Sequence, residues 1–108
     1  MKNEAPKPGR KVRGSNTGRP IMAALDLLGR RGALRVLWEL RGGEALSFRE
    51  LASAAELSPA TLNTRLRELR ETGIVELVDG YQLTPLGREL KVALEPLLHW
   101  SARWARRA

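Results

Sequence analysis

LSPATLNTRLRELRETGIV, residues 57–75, is the stretch on which the reading of this chain turns. Ser58 stands where a helix needs a side-chain cap, Pro59 suits the first helical position, and Gly73 ends the run. At about 100° per residue, Leu62, Leu66 and Leu69 fall within about 60° of one another and form a narrow buried stripe. The opposite side carries Ala60, Thr64 and Arg67, flanked by Thr61 and Asn63. That face is short, hydrogen-bonding and carries one cation. An ordinary surface helix tolerates the same residues, so the neighbouring segments decide what it is.

Upstream, Ser47 and Glu50 have the spacing of a capping box, which predicts a helix beginning at residue 47. Leu51 and Ala52 to Ala55 are expected to face inward. AELS then makes a tight turn, so residues 47–73 form two short helices joined by a turn, a helix-turn-helix. Downstream, IVELVDGYQL predicts a hairpin, with Asp79 and Gly80 as a two-residue turn. Glu76 and Gln82 break the alternation and leave the buried face of the hairpin open. Thr84 caps a last helix that Pro85 begins, apolar at Leu86, Leu90, Ala93, Leu94, Leu97, Trp100 and Trp104. Pro96 inside it removes one helical hydrogen bond and predicts a kink. Nearer the N-terminus, helices are expected over 20–28, with Ile21, Leu25 and Leu28 on one face, and over 33–40, ended by Gly42 and Gly43. A short extended piece covers 44–46. The order predicts a mainly α fold with a small β-hairpin, a winged helix-turn-helix filling residues 20–108.

The chain has 108 residues, 43% of them hydrophobic, which suffices for one small core. A core of this size is marginal alone and favours a dimer. With no cysteine, disulfides, thiolate metal ligands and a cysteine nucleophile are excluded. There is no long apolar run and no apolar leader, which predicts a cytoplasmic protein without membrane contact. The net charge is +7, but residues 1–19 hold six basic residues against Glu4, while residues 20–108 are nearly balanced. MKNEAPKPGRKVRGSNTGR lacks the apolar content to fold and is expected to be a disordered basic arm. Fully extended it reaches roughly 60 Å at about 3.3 Å per residue.

These features suit double-stranded DNA. Small residues let a helix approach the floor of the major groove, Asn and Thr read base edges or phosphates, and Arg reaches guanine or phosphate. Ala60, Asn63, Thr64 and Arg67 are expected to face bases. Ser58, Thr61, Arg65 and the arm are expected to hold phosphates, with Arg49, Arg70 and the hairpin tip at Gly80 nearby. The alternative is a winged helix that docks a protein partner and holds DNA only non-specifically. The nearly neutral folded part and the acidic Asp79 at the wing tip favour that alternative. No phosphate loop, catalytic triad or outstanding carboxylate pair predicts an enzyme. One histidine, His99, without cysteine makes no metal site, and it is expected at the surface. Trp38 is expected in the core, and Trp100 and Trp104 in the core or an interface. No cofactor is implied.

The run LDLLGRRGALRVLWELRGGEALSFRELASAAELSPATLNTRLRELRETGIVEL, with YQLTPLGREL and LLHWSARWA, resembles the HxlR-type winged-helix regulators, which are related in fold to the MarR regulators. The resemblance covers about residues 19–105. It implies a homodimer that binds inverted-repeat DNA as a bacterial repressor or activator. The family's recognition helix falls on residues 58–71. Its dimer interface falls on the first and last helices, with Ile21, Leu25, Leu94, Leu97, Leu98, Trp100 and Trp104 as the candidate contacts. The chain departs from the pattern in three places: Arg19 stands where many members have a cysteine that some use as a sensor, Arg31 and Gly32 replace a Lys-Trp pair, and the wing is short and acid-tipped.

Overall fold

A computed structural model describes residues 5–12 and 18–108. Among the described residues, five helices and one hairpin follow in order: α1 (Pro20–Leu28), α2 (Ala33–Glu39), α3 (Phe48–Ala55), α4 (Pro59–Glu71), β1 (Val75–Leu77), β2 (Tyr81–Leu83) and α5 (Pro85–Arg107). This is the winged-helix order. Local chemistry sets the boundaries. Ser47 Oγ accepts from the Glu50 N–H at 3.1 Å while Glu50 Oε1 accepts from the Ser47 N–H at 2.8 Å, closing the capping box of α3. Ser58 Oγ accepts from the Thr61 N–H at 3.2 Å at the start of α4. Thr84 Oγ1 accepts from the Gly87 N–H at 3.0 Å at the start of α5.

The core gathers where the helices meet the hairpin. Val36, Leu40, Leu51, Leu62 and Leu69 are completely buried, joined by Leu66, Ile74, Val75 and Leu83. The expected stripe of α4 is therefore the one that is buried. On α3, Leu51 and Ala55 are buried, whereas Ala52 and Ala54 are half-buried and Ser53 is exposed, so the inward face is narrower than expected. The open question of the hairpin face is resolved by register. Val75 pairs with Leu83 and both point into the core, leaving Glu76 and Gln82 opposite each other on the other side.

Two features of the wing differ from expectation. Leu77 pairs with Tyr81, so the loop has three residues, Val78 to Gly80, rather than two. Asp79 (φ 53°) and Gly80 (φ 124°) nevertheless both take the positive φ that their types permit. The extended piece at 44–46 also adds a third edge, because Leu46 and Tyr81 exchange backbone hydrogen bonds of 3.0 and 2.7 Å.

Trp38 is not a core residue. It is 44% exposed, with the Arg41 guanidinium 3.7 Å from its ring centroid. Ala33, Val36 and Leu37 take the buried side of the short α2, which turns Leu34 and Trp38 outward to a groove shared with α5. α5 is one helix over its 23 residues with Pro96 inside it.

Residues 5–12, within the segment expected to be an unstructured arm, are among the described residues. Ala5 is 5% exposed, and Pro6, Lys7 and Pro8 form one wall of a cavity whose other walls include Ala23, Ala24 and Leu27 of α1 and Leu86 and Leu90 of α5. Gly9 N–H also donates to the Gly18 carbonyl at 2.9 Å, drawing the two ends of the basic segment together. Residues 1–4 and 13–17, including Lys2 and Arg13, lie outside the described residues.

Candidate nucleic-acid interface

α4 is locked from behind by its leucines and presents a defined front. Ala60, Asn63, Arg67 and Arg70 are exposed, and Thr61 and Thr64 are half-exposed. Thr64 Oγ1 donates to the Ala60 carbonyl at 3.1 Å, which leaves its lone pairs outward as acceptors. Ser58 Oγ donates to Thr61 Oγ1 at 3.1 Å, so these two hydroxyls brace each other at the first turn. Arg67 Nη1 donates to Glu71 Oε2 at 3.4 Å across one turn of exposed helix. The helix thus offers short polar groups at its front and the positive end of its dipole at Ser58.

A cleft of 580 Å³ separates α4 from the hairpin, lined by Asn63, Arg67, Arg70, Glu71, Glu76, Leu77 and Tyr81. Sequence reasoning missed Tyr81. A tyrosine immediately after an Asp-Gly turn is the signal that points to it. Arg49 is exposed on the first turn of α3.

Two of the expected contact residues also pack against the protein itself. The Arg65 side chain is only 15% exposed, with its Nε 2.9 Å from Glu68 Oε1 and its Nη1 donating to the Arg31 carbonyl at 3.0 Å. Gly80 packs inward: a Cβ there would stand 3.0 Å from the Ala45 Cβ and 3.2 Å from the Leu46 carbonyl oxygen. Its type is set by that close approach as well as by its φ.

Behind α4, Glu68 is 1% exposed and accepts from Arg30 Nη1 at 2.7 Å. Burial pulls the Arg30 guanidinium down, but hydrogen bonds to Asp26 and Glu68 and their charges outweigh it and hold its pKa above the ordinary arginine value. A cation raised in this way contributes fully below that range and loses its contribution only in strong alkali.

The candidate dimer residues lie on α1 and α5, and all but one are exposed. Ile21 (57%), Leu25 (56%), Leu97 (52%), Leu98 (52%), Trp100 (48%) and Trp104 (60%) are open, while Leu94 is half-buried. The two tryptophan rings stack with centroids 5.4 Å apart. His99 is exposed. Among the described residues there is no cluster of three metal-ligating side chains and no helix long and apolar enough to cross a membrane.

A helix-turn-helix domain family profile matches residues 28–78, which contain α2 through β1. An uncharacterised HTH-type transcriptional regulator of Methanocaldococcus jannaschii is 30% identical over 90 residues, covering 77% of this chain and 83% of that protein. The chain belongs to the helix-turn-helix transcriptional regulators. An uncharacterised HTH-type regulator of Mycobacterium tuberculosis is 34% identical over 91 residues, and there the chain spans 57% of the relative's length. Among solved structures, quinone-bound YodB from B. subtilis superposes with a TM-score of 0.70 at 28% identity, over 77% of this chain and 96% of that one. A MarR-family transcriptional regulator from Enterococcus faecalis gives 0.69 at 28% identity, over 90% and 96%. The matches agree with the winged-helix fold and with the class of helix-turn-helix transcriptional regulators.

Proposed function

We propose that this regulator is of the HxlR type and acts in the cytoplasm as a homodimer, binding an inverted-repeat operator and repressing transcription. The observation that carries the reading is the front of α4: Ala60, Asn63, Thr64 and Arg67 project from a helix whose back is immobilised by Leu62, Leu66 and Leu69. A rigid helix with short side chains and one guanidinium meets the steric and hydrogen-bonding demands of the major groove. The exposed apolar faces of α1 and α5 support a dimer, and a two-fold pair would set its α4 helices about 34 Å apart, one turn of DNA. Ser58, Thr61, Arg49 and Arg70 serve phosphates, and Arg65 serves the protein interior. Repression needs only occupancy of the DNA, which a chain of this size supplies.

In-vitro selection from a random duplex pool tests this directly. Enrichment of an inverted repeat with half-sites near one helical turn apart is expected. Retention that is only non-specific and vanishes at modest salt would favour a protein partner for the α4 front, a reading helped by Glu76 and Asp79 beside the cleft.

Substitutions at the site have distinct expected outcomes. Arg67→Ala should weaken operator binding by about 1–3 kcal/mol and relax selectivity at one base position; equal weakening on every sequence would make Arg67 a phosphate ligand. Glu71→Gln removes the carboxylate that Arg67 engages. It should tighten binding to random duplex more than to operator, and competition assays would detect the narrowed ratio. Neutralising Lys7, Arg10 and Lys11 together with Gln leaves the buried Ala5 unchanged. The slope of log affinity against log salt should then flatten by about 0.9 for each phosphate that the arm no longer neutralises. An unchanged slope would leave these charges without a role on DNA.

A further inference from the structure

Glu68 belongs neither to the front of α4 nor to its leucine stripe, yet it is 1% exposed. A carboxylate is costly to bury, and its shortest hydrogen bond comes from outside α4. Arg30, in the turn after α1, donates Nη1 to Glu68 Oε2 at 2.7 Å, and with Nη2 and Nε it holds Asp26 in α1 at 3.3 and 3.5 Å. The second Glu68 oxygen stands 2.9 Å from Arg65 Nε, a close ion pair out of hydrogen-bond line. Arg65 in turn donates to the Arg31 carbonyl at 3.0 Å. Alternating charges therefore run from Asp26 through Arg30 and Glu68 to Arg65, joining the end of α1 to the middle of α4.

The backbone packing makes this link distinctive. α1 packs on α2 and α2 on α4, so α1 reaches α4 chiefly through an intermediary. Apolar packing lets helices slide or rotate slightly at small cost, whereas a short charged hydrogen bond between buried groups admits one arrangement. Buried ion pairs are poor stabilisers compared with apolar side chains of the same size, and their best-attested use is to fix geometry. A two-fold dimer turns that geometry into DNA spacing. The distance and twist between its two α4 helices depend on how each is set relative to its own α1.

We propose that this charge network sets α4 relative to the dimerising α1 and so selects the half-site spacing, with Arg30 and Glu68 as positioning residues that do not touch DNA. The inference rests on the homodimeric reading above. The test compares wild type, Glu68→Gln and Arg30→Lys on three kinds of duplex: the selected inverted repeat, the same repeat with its spacer lengthened or shortened by one base pair, and a single half-site. One base pair shifts a half-site by about 3.4 Å and turns it by about 35°. Gln keeps the shape of Glu68 without its charge; Lys keeps the charge of Arg30 without the fork that spans two carboxylates.

Wild type is expected to bind the altered spacers at least about tenfold more weakly than the selected repeat. For the variants that difference should shrink to less than about threefold, with half-site binding within about twofold of wild type. Variants that keep the wild-type spacing preference would overturn the proposal, and so would variants weakened equally on every duplex. If Glu68→Gln fails to fold by circular dichroism, Arg30→Lys carries the test; unfolding of both would assign the network to stability and overturn the proposal. A wild type that prefers no inverted repeat defeats the homodimeric reading itself, before any variant is compared.

Discussion

Replacing Trp100 and Trp104 together with Glu is expected to give a monomer that binds a full operator about 10²–10⁴-fold more weakly than wild type. The rings are 48% and 60% exposed, stacked on each other, and lie on the outer part of α5. Their exposed surface is on the order of 100 Å² per ring, and removing it from water would contribute roughly 2–3 kcal/mol per ring. Carboxylates there would have to be desolvated to form the same interface. Affinity falls so far because a dimer joins two weak half-site interactions into one strong event. Sedimentation would give the mass, and anisotropy on full and half operators would separate the avidity effect from a defect in recognition. Half-site binding should survive, and the melting temperature of the diluted protein should hardly move, since neither ring is part of the core. A double variant that remains dimeric would put the two-fold contact somewhere other than the end of α5.

The largest stability effect is expected at Gly87. This residue is buried in the first turn of α5, and a Cβ built on it would fall inside the contact distance of the Ile74 carbonyl oxygen and 3.2 Å from the Leu83 Cβ. The helix cannot simply step back. Thr84 N–H donates to the Ile74 carbonyl at 3.0 Å, and its hydroxyl donates to the adjacent Gly73 carbonyl at 2.5 Å while capping α5. Relief of the clash therefore breaks the cap or parts α5 from the hairpin. Gly87→Ala should cost about 3 kcal/mol, a large share of the roughly 5–15 kcal/mol that holds such a domain together. Urea denaturation measures it, with Gly42→Ala as the control, because a Cβ at Gly42 meets nothing within 4 Å. A Gly87→Ala variant within about 0.5 kcal/mol of wild type would mean that α5 can shift freely.

Whatever local chemistry determines is legible in the sequence. Ser47 with Glu50, Ser58 with Pro59 and Thr84 with Pro85 mark helix starts by satisfying backbone N–H groups, and α3, α4 and α5 begin at these marks. The leucines of α4 announce its buried side by spacing alone, and through it the exposed front of the candidate site. Features that depend on distant partners are not legible. Trp38 reads as core because it is large and apolar, but the short α2 has room inward for only part of its surface. Glu68 reads as a solvated charge because Arg30 is 38 residues away. The hold of the Arg31 carbonyl on Arg65 is equally hidden, because the two are 34 residues apart. The burial of Ala5, and the place of Pro6 in the wall of a cavity shared with α1 and α5, are not legible in a segment so poor in apolar residues.

The exposed pair of Arg67 and Glu71 bears on how such a protein would find its site. Its 3.4 Å contact, 45% and 40% open to solvent, is worth little and is quickly exchanged. On random DNA the guanidinium gains nothing decisive by leaving its carboxylate, so the protein can travel along the duplex on phosphate contacts alone. Only a base presenting two acceptors to a single guanidinium repays the exchange. A neighbouring glutamate one helical turn away would thus act as a brake release, favouring rapid search over premature stopping.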